Sequence, residues 1–322
     1  MTIQKLKDKN SPAQKTPNEF KLINSEIRLE PTNLCNSRCI MCPREKMKRA
    51  QGIMDMDLYK KIMDQAVDAG ADKVSLENYG EAFLDPYIFE RAEYARSKGL
   101  KTFTITNGSL FDEEKCQKTA ELFDKIRISM YGITKATFES IHKGIEFEQV
   151  EANVARLFKV RNETKDSSLK IEMYFLLMDQ NKHELKSWLD KYEKIADAAS
   201  IWKPHNWSDG RTYRKPHGKK ISCNRPFVGP LQVQWDGMVV PCCFDYDSRM
   251  ILGDLNRESL YEVMSGTRYN ELRKAHREGD FSKFPFCNTC DQLNKKDNVL
   301  VYTTIKDAKV GATNTAYFAL QK

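Results

Sequence analysis

The chain has 322 residues, of which 40% are hydrophobic and 30% charged, and its formal net charge is +7. This length exceeds one small domain and predicts a main domain with a smaller appendage. No apolar run reaches the roughly 18 residues of a membrane-spanning helix, and the Lys-rich start lacks a secretory pattern, so we expect a cytoplasmic protein with no membrane partner. Basic residues are interspersed with acidic ones, which argues against nucleic acid as a partner.

Six short β-branched or apolar segments alternate with helical stretches between residues 26 and 203. This alternation is typical of repeated βα units around a parallel sheet. It predicts an α/β fold, a partial (β/α)6 barrel of the TIM type, with one helix that stops at Gly70 and another that stops at Gly99. The predicted strands span residues 26–30, 73–77, 101–106, 125–130, 170–177 and 199–203.

The alternation stops after residue 203, where a segment rich in Gly, Pro, His and Trp begins. Two short strands then flank Asp236 and Gly237, a pair that favours a tight hairpin turn, and one helix is expected over 259–278. A small domain of hairpin plus helix is therefore predicted after the barrel. The predicted organisation is a basic N-terminal extension (1–25), the barrel (26–203), a connector (204–222), the small domain (223–290) and a tail (291–322).

Three of the nine cysteines, Cys35, Cys39 and Cys42, follow the first predicted strand. A loop in this place opens at the C-terminal mouth of a barrel, where such folds place their chemistry. Three thiolates can hold three irons of a [4Fe–4S] cluster and leave the fourth iron open for a ligand from outside the protein. Zinc is the alternative, but a fourth protein ligand is not close in sequence, since the next histidine is His142.

A second group of cysteines, Cys223, Cys242, Cys287 and Cys290, supplies enough thiolates for a cluster with no open iron. Such a cluster suits electron transfer or a structural role, and zinc held by four thiolates remains an alternative. Cys243 follows Cys242 on a predicted strand, so the two side chains should point to opposite faces and only one should reach a given cluster. Buried packing is the simplest role for Cys243.

The segment from Cys35 to Cys42 resembles the CxxxCxxC signature of the radical S-adenosylmethionine (SAM) superfamily. Further parts of the family pattern follow at successive strand ends. Tyr79, Gly80 and Glu81 resemble a variant of the Gly-Gly-Glu motif, which receives the methionyl ammonium of SAM, with Tyr79 in place of the first glycine. The order of these motifs along the chain is the stronger part of the resemblance.

Asn107 and Ser129 stand where similar enzymes contact the ribose or the carboxylate of SAM. The resemblance implies that SAM binds the open iron and is cleaved by an electron from the reduced cluster. It also implies that the resulting 5′-deoxyadenosyl radical takes a hydrogen atom from the substrate. A reductant such as a flavodoxin or a ferredoxin would then be a partner.

The C-terminal cysteines resemble the first half of the SPASM extension of radical SAM maturases. Gly237 precedes Cys242 by five residues, a family spacing that favours Cys242 over Cys243 as a ligand. No cysteine follows Cys290, so the resemblance is to the shortened extension called Twitch. It implies an auxiliary [4Fe–4S] cluster in addition to the first one.

Similar Twitch-containing enzymes dehydrogenate small polar substrates, with the auxiliary cluster as acceptor of the second electron. The resemblance therefore implies a radical SAM oxidoreductase. One alternative is an epimerase or a peptide maturase in which Cys243 donates a hydrogen atom, so the substrate is either a small polar molecule or a peptide. A second alternative is a non-catalytic iron–sulfur or zinc-binding protein.

The segment 205–211 and four other histidines complete the candidates. The segment either lines the substrate cavity or packs as a linker; its candidate side chains are His205, Trp207, Asp209 and Arg211. The remaining histidines stand among polar residues and are expected at the surface; they are His142, His183, His217 and His276.

Overall fold

Six parallel strands form the centre of a ten-stranded sheet in the computed structural model, which describes residues 20–209, 211–213, 220, 222–293 and 300–304. Neighbouring strands in this centre pair in parallel. The predicted α/β fold is confirmed, and each strand begins and ends within one residue of its predicted bounds. In order across the sheet, the strands are β1 (Glu26–Leu29), β3 (Lys73–Leu76), β4 (Lys101–Thr106), β5 (Lys125–Ser129), β7 (Lys170–Leu176) and β8 (Ala198–Trp202).

Side chains alternate between two faces along these strands, as an extended backbone requires. One face is apolar, and its residues, such as Ile27 and Ile171, are fully buried in a core shared with the helices. The other face carries charged side chains in register, for example Arg127 beside Glu172 on the neighbouring strand. Arg28 of β1 lies on the same face, which we call the lumen.

Six helices connect the parallel strands and pack on the apolar face. The side chains of Asp55, Asp112 and Thr134 cap three of these helices by accepting hydrogen bonds from backbone N–H groups of the first turn. Gly70 and Gly99 follow the first two helices with left-handed φ values of 87° and 81°, so the predicted stop positions are confirmed. The helices are α1 (Met56–Asp68), α2 (Ile88–Ser97), α3 (Glu113–Leu122), α4 (Lys135–Ile141), α5 (Phe147–Glu163) and α6 (Leu185–Tyr192).

The predicted C-terminal hairpin continues the main sheet. It follows the short helix α7 (Arg225–Val228) and consists of β9 (Leu231–Val233) and β10 (Met238–Val240), which pair antiparallel around Gly237, with β11 (Gly253–Asp254) at the edge. Strand β9 pairs in parallel with β1, so the cysteine-bearing C-terminal segment is joined by backbone hydrogen bonds to the strand that precedes Cys35. At the opposite edge, β12 (Leu300–Thr303) pairs antiparallel with β8.

The single helix predicted over 259–278 is wrong, because the segment forms two helices, α8 (Leu260–Ser265) and α9 (Thr267–Glu278). Gly266 separates them with an extended ψ of 161°, which no helix can contain. A short α10 (Pro285–Asn288) follows and carries Cys287. Residues 1–19 and 305–322 lie outside the described part, and none of the described helices is both long and apolar enough to cross a membrane.

Candidate active site

Cys35, Cys39 and Cys42 lie in the loop after β1, at the end of the sheet where the parallel strands finish. All three are free thiols. Burial raises the pKa of Cys39 to about 12, with the charges of the other two cysteines adding to the effect, and burial raises the pKa of Cys42 to about 11. Three neighbouring free thiols are a donor set that fits an iron–sulfur cluster, whose protein ligands are cysteine thiolates.

A buried ion pair fixes the cysteine loop to the sheet. Arg49 donates hydrogen bonds of 2.7 and 2.6 Å to the two carboxylate oxygens of Glu30, which is fully buried. Glu30 also accepts a hydrogen bond of 3.2 Å from the backbone N–H of Trp235, just after β9. Asn33 closes the loop with side-chain hydrogen bonds to the loop backbone. The sequence analysis missed these residues because their pairing exists only in the folded chain.

His142 lies against the cysteine loop, so its predicted surface position is wrong. Its side chain is 1% exposed and stacks between Tyr131 and Phe138, with ring centroids 4.5 and 4.6 Å away. Its Nδ1 atom is 3.2 Å from the Sγ atom of Cys39. The strands β2 (Arg38–Cys39) and β6 (His142–Lys143) pair antiparallel and fix this contact.

The other histidines divide between core and surface. His276 is 4% exposed and contacts the hydroxyl of Ser222 at 3.0 Å through Nδ1, so its predicted surface position is also wrong. His183 has a side chain that is 64% exposed, as predicted. His217 lies outside the described residues. Polar sequence neighbours failed as a guide because burial depends on the elements that pack above them.

The segment after β8 holds the cysteine loop from the other side. Trp207 donates a hydrogen bond of 3.0 Å from Nε1 to the backbone oxygen of Met41, and Arg211 also donates to that oxygen. A second nitrogen of Arg211 donates to the backbone oxygen of Cys42 at 3.0 Å. Asp209 forms an ion pair of 3.1 Å with Arg211. Of the two roles left open by the sequence, these contacts favour packing, here directly against the cluster-binding loop.

Gly80 packs on the backbone of the cysteine loop. A Cβ atom at this position would lie 2.1 Å from the carbonyl oxygen of Thr32 and 2.8 Å from that of Leu34, far inside any normal contact. Only glycine therefore allows this approach. The neighbouring Tyr79 is buried, and its hydroxyl donates a hydrogen bond to the backbone oxygen of Cys243.

Glu81 and Asn107 join the strand ends to one another and to the cysteine loop. Glu81 is 2% exposed, and its carboxylate accepts a hydrogen bond of 2.7 Å from the backbone N–H of Asn107. The side chain of Asn107 donates to Asn36, which lies between Cys35 and Cys39, at 2.9 Å. Ser129, at the end of β5, accepts a hydrogen bond of 3.2 Å from the Tyr131 hydroxyl.

Charged side chains line the lumen beneath these motifs. Arg28 contacts Glu26 at 2.7 Å and Glu77 at 3.5 Å. Arg127 contacts Glu172 at 3.1 Å, and its Nε atom is buried with no hydrogen-bond partner among the described residues. Burial raises the pKa of Glu77, although Arg28 and Arg127 lower it. The lumen thus offers both donors and acceptors to a polar molecule.

The second cysteine group is spread along the C-terminal segment, with Cys223 just before α7, Cys242 after β10, Cys287 in α10 and Cys290 just after it. All four thiols are free. Burial raises the pKa of Cys290 to about 11, with a contribution from the charge of Cys223. Burial also raises the pKa of Cys287, to which Cys290 and Cys223 contribute, and raises that of Cys242 well above its ordinary value, to which Cys290 contributes. That the four residues grouped by spacing hold one cluster stays a prediction.

Cys243 lies beside Arg225 and Tyr79. The sequence predicted that Cys242 and Cys243 lie on a strand. This prediction is wrong, because β10 ends at Val240 and both residues lie in the turn after it. The Sγ atom of Cys243 is 3.4 Å from Nη1 of Arg225.

Within the described ranges, no three His, Cys, Asp or Glu side chains converge closely enough to hold a single metal ion.

The family model of the radical SAM superfamily matches residues 29–190, about half of the chain. The chain belongs to the radical SAM superfamily. The model of an iron–sulfur cluster-binding domain, SPASM, matches residues 223–291. The radical SAM match covers the parallel strands from the end of β1 through β7, together with the cysteine loop, and the SPASM match covers the hairpin and the second cysteine group.

One curated relative and two solved structures are similar to this chain. The S-adenosyl-L-methionine-dependent 2-deoxy-scyllo-inosamine dehydrogenase of Niallia circulans is 22% identical over 277 residues, which are 84% of this chain and 94% of that protein. The structure of BtrN in complex with AdoMet and 2-DOIA has a TM-score of 0.59 at 19% identity and covers 88% of this chain and 100% of its own. Streptococcus suis SuiB bound to the precursor peptide SuiA has a TM-score of 0.62 at 13% identity, over 78% of this chain and 66% of its own. At these identities the structural likeness shows a common fold.

The protein is therefore a radical SAM enzyme, an oxidoreductase or modifying enzyme, and its cofactors are SAM, a [4Fe–4S] cluster and further iron–sulfur cluster content in the SPASM region. The predicted family, fold and cofactors are confirmed. The alternative of a non-catalytic iron–sulfur or zinc-binding protein is wrong. The roles of individual residues stay predictions.

Proposed function

We propose that this enzyme dehydrogenates a small polar substrate held in the lumen. The observation that carries the proposal is the polar lumen face, whose charged side chains lie on the strands that finish at the cysteine loop. When bound, SAM and the first cluster supply a 5′-deoxyadenosyl radical that removes a hydrogen atom, and the auxiliary cluster accepts the second electron. Binding and orientation of SAM and of the substrate depend on residues of this chain.

The first cluster is assigned to Cys35, Cys39 and Cys42, and the auxiliary cluster to Cys223, Cys242, Cys287 and Cys290. Every one of these seven thiols is free, and burial raises the pKa of each. Because cluster ligands are thiolates, loading releases protons from these groups. The auxiliary set leaves no iron open, which suits electron transfer and not substrate binding.

We assign SAM recognition to the strand ends beside the cysteine loop. Gly80 supports this assignment because its lack of a Cβ lets the backbone approach the loop closely. Tyr79, Glu81 and Asn107 hold that backbone in place through hydrogen bonds, so its polar atoms are preorganised for the methionyl group and the ribose. Ser129 contributes a hydroxyl at the end of β5.

The lumen charges orient the substrate. The side chain of Arg127 is 23% exposed on the lumen face, so its guanidinium can donate to an oxygen of the substrate. Among the described residues, the ion pair of Glu77 is a long contact of 3.5 Å with Arg28, so its carboxylate can still accept a hydrogen bond. Glu172 is held by Arg127 and by Ser200, whose hydroxyl donates at 2.6 Å, so it serves to position Arg127. A hydroxyl or amino group on the substrate fits such a set of donors and acceptors.

The test is anaerobic reconstitution followed by assay with SAM, dithionite and 2-deoxy-scyllo-inosamine as probe substrate. We expect about eight irons per chain, the content of two four-iron clusters, and an oxidised probe formed in equal amount to 5′-deoxyadenosine. Joint replacement of Cys35, Cys39 and Cys42 by Ala should abolish cleavage of SAM. Cys116→Ala is the matched control, because Cys116 is a fully buried cysteine in α3 outside both groups.

Cleavage of SAM without any change in the probe would contradict dehydrogenation of this substrate class. Joint replacement of Cys287 and Cys290 by Ala separates the two clusters: cleavage should persist while oxidation of the probe is lost. Retention of probe oxidation in that variant would refute the role of the auxiliary cluster as electron acceptor.

A second candidate, an epimerase or peptide maturase, is supported by the place of Cys243. Its thiol lies near Arg225, and its backbone accepts a hydrogen bond from Tyr79 beside the cysteine loop, so it is a candidate to return a hydrogen atom to a substrate radical. In D2O, an enzyme of this kind incorporates deuterium into an unoxidised product, and Cys243→Ala should abolish that incorporation. An oxidised product without solvent deuterium excludes this candidate.

An acidic electron carrier such as a flavodoxin or ferredoxin is the partner we propose for reduction, in the cytoplasm. A groove of about 390 Å³ opens beside the segment that leads into α10. Its cationic lining, Arg249, Arg268 and Lys283, is opposed by one acid, Glu271. Such a surface attracts an acidic protein, and charge reversal of Lys283 should then slow reduction by flavodoxin but not by dithionite.

A further inference from the structure

We infer that His142 donates a hydrogen bond from Nδ1 to the Cys39 sulfur and thereby raises the reduction potential of the cluster held by the cysteine loop. The inference rests on the proposed function in one respect, namely that Cys39 is a cluster ligand. His142 touches the ligand and not the substrate, so it is a positioning residue.

The contact is built by three independent features of the fold. The distance from Nδ1 to Sγ is 3.2 Å, within hydrogen-bond range for sulfur. Strands β2 and β6 pair Cys39 directly with His142. The flat faces of Tyr131 and Phe138 hold the ring at interplanar angles of 25° and 24°, so it cannot swing away from the sulfur.

The second ring nitrogen determines which tautomer fits. The Nε2 atom of His142 is buried and has no hydrogen-bond partner among the described residues. A proton on Nε2 would be a buried donor without an acceptor, whereas a proton on Nδ1 points at the sulfur of Cys39. The Nδ1–H tautomer is therefore favoured, and its N–H group faces the ligand atom.

A hydrogen bond to a ligand sulfur stabilises the more negative, reduced state of a cluster more than the oxidised state. The hydroxyl of Ser37 also lies 3.1 Å from Cys39 Sγ, but it donates its single proton to the backbone oxygen of Lys143 at 3.2 Å. His142 differs from Ser37 because its ring also excludes water from that side of the ligand. Loss of the Nδ1–H group should therefore make the cluster harder to reduce.

The test is an EPR-monitored redox titration of the reconstituted full-length enzyme, following the four-iron signal that changes when SAM is added. His142→Phe keeps an aromatic ring between Tyr131 and Phe138 but removes the donor. We expect the ratio of reduced to oxidised cluster at a fixed potential to fall by about tenfold, a shift of about 59 mV for a one-electron couple. His142→Asn should restore the wild-type value, because its amide nitrogen stands in the place of Nδ1.

Phe147→Leu is the matched control for packing, because Phe147 packs on the ring of Phe138 with centroids 5.6 Å apart. This change loosens the core behind the stack but keeps the donor and both stacking rings, so the potential should stay at the wild-type value. If His142→Phe does not take up iron, the comparison of His142→Asn with His142→Gln decides, since the longer Gln amide cannot occupy the place of Nδ1. An unchanged potential in His142→Phe, or equal potentials in the Asn and Gln variants, overturns the inference. Absence of any SAM-responsive signal in the wild-type enzyme instead refutes the proposed cluster site itself.

Discussion

Replacement of Gly80 by Ala tests whether the approach of the strand end to the cysteine loop is required for activity. The added Cβ atom would lie 2.1 Å from the carbonyl oxygen of Thr32. An ordinary contact begins at 3.4 Å, so the loop backbone must move by about 1.3 Å, the difference between the two distances. The obstructing atoms belong to backbone and cannot rotate away as a flexible side chain would.

Two magnitudes follow from this displacement. Overpacking of this kind costs about 1–3 kcal/mol of stability, which a domain of ordinary stability survives. A shift of roughly 1 Å at a reacting centre costs about 10²-fold in rate. We therefore expect Gly80→Ala to fold and to bind iron, but to form 5′-deoxyadenosine about 10²-fold more slowly than the wild type, measured by chromatography of quenched anaerobic reactions.

Gly99→Ala is the control, because Gly99 has a left-handed φ of 81° and no heavy atom lies within 4 Å of the place that an added Cβ would occupy. It carries a backbone penalty of about 1–2 kcal/mol without moving the loop. Equal cleavage rates in the two variants would show that stability alone accounts for the effect and would refute the displacement argument.

Two further predictions concern buried charges. Burial opposes ionisation of Glu172, yet Arg127 and Lys125 lower its pKa from 4.5 to about 2. The carboxylate should therefore stabilise the fold at pH 7 by about 3 kcal/mol relative to Glu172→Gln. This stabilisation is lost as the pH falls from the unfolded pKa toward the folded one, so about half of it should remain at pH 3. Urea denaturation at both pH values measures this, and an equal effect at both contradicts it. Glu30→Gln leaves Arg49 buried opposite a neutral group and should lower the free energy of unfolding, measured by thermal unfolding, by about 3 kcal/mol. Glu90→Gln, which removes an exposed ion pair, should lower it by less than about 1 kcal/mol. Similar losses of stability in the two variants would refute the role of burial.

Local sequence patterns predicted the strands well because each strand has an apolar side and a polar side at a period of two. The same patterns predicted the stops at Gly70 and Gly99, where a left-handed backbone needs glycine. They failed at Gly266, because the pattern of apolar residues continues through it while the backbone does not. A glycine inside a helical pattern is ambiguous until the packing of both halves is known.

In the candidate active site, too, local sequence predicted some features, and others depend on the packing of distant segments. Cysteine spacing grouped Cys35 with Cys39 and Cys42, since ligands close in sequence are necessarily close in space. The contact of His142 with Cys39 joins residues 103 positions apart, and no local signal indicates it. The Glu30–Arg49 pair and the directions of Cys242 and Cys243 likewise depend on elements that meet only after folding.

The sequence by itself determined the α/β class, the order of the strands and the two sets of thiols, because these depend on short-range periodicity and on ligand spacing. Only the tertiary structure decided that the C-terminal hairpin extends the sheet through β9 and β1, that the segment after β8 clamps the cysteine loop, and that the lumen is lined by paired charges. Each of these features is an interaction between segments far apart in the chain, and its energy comes from burial and hydrogen bonds that exist only when those segments are packed together.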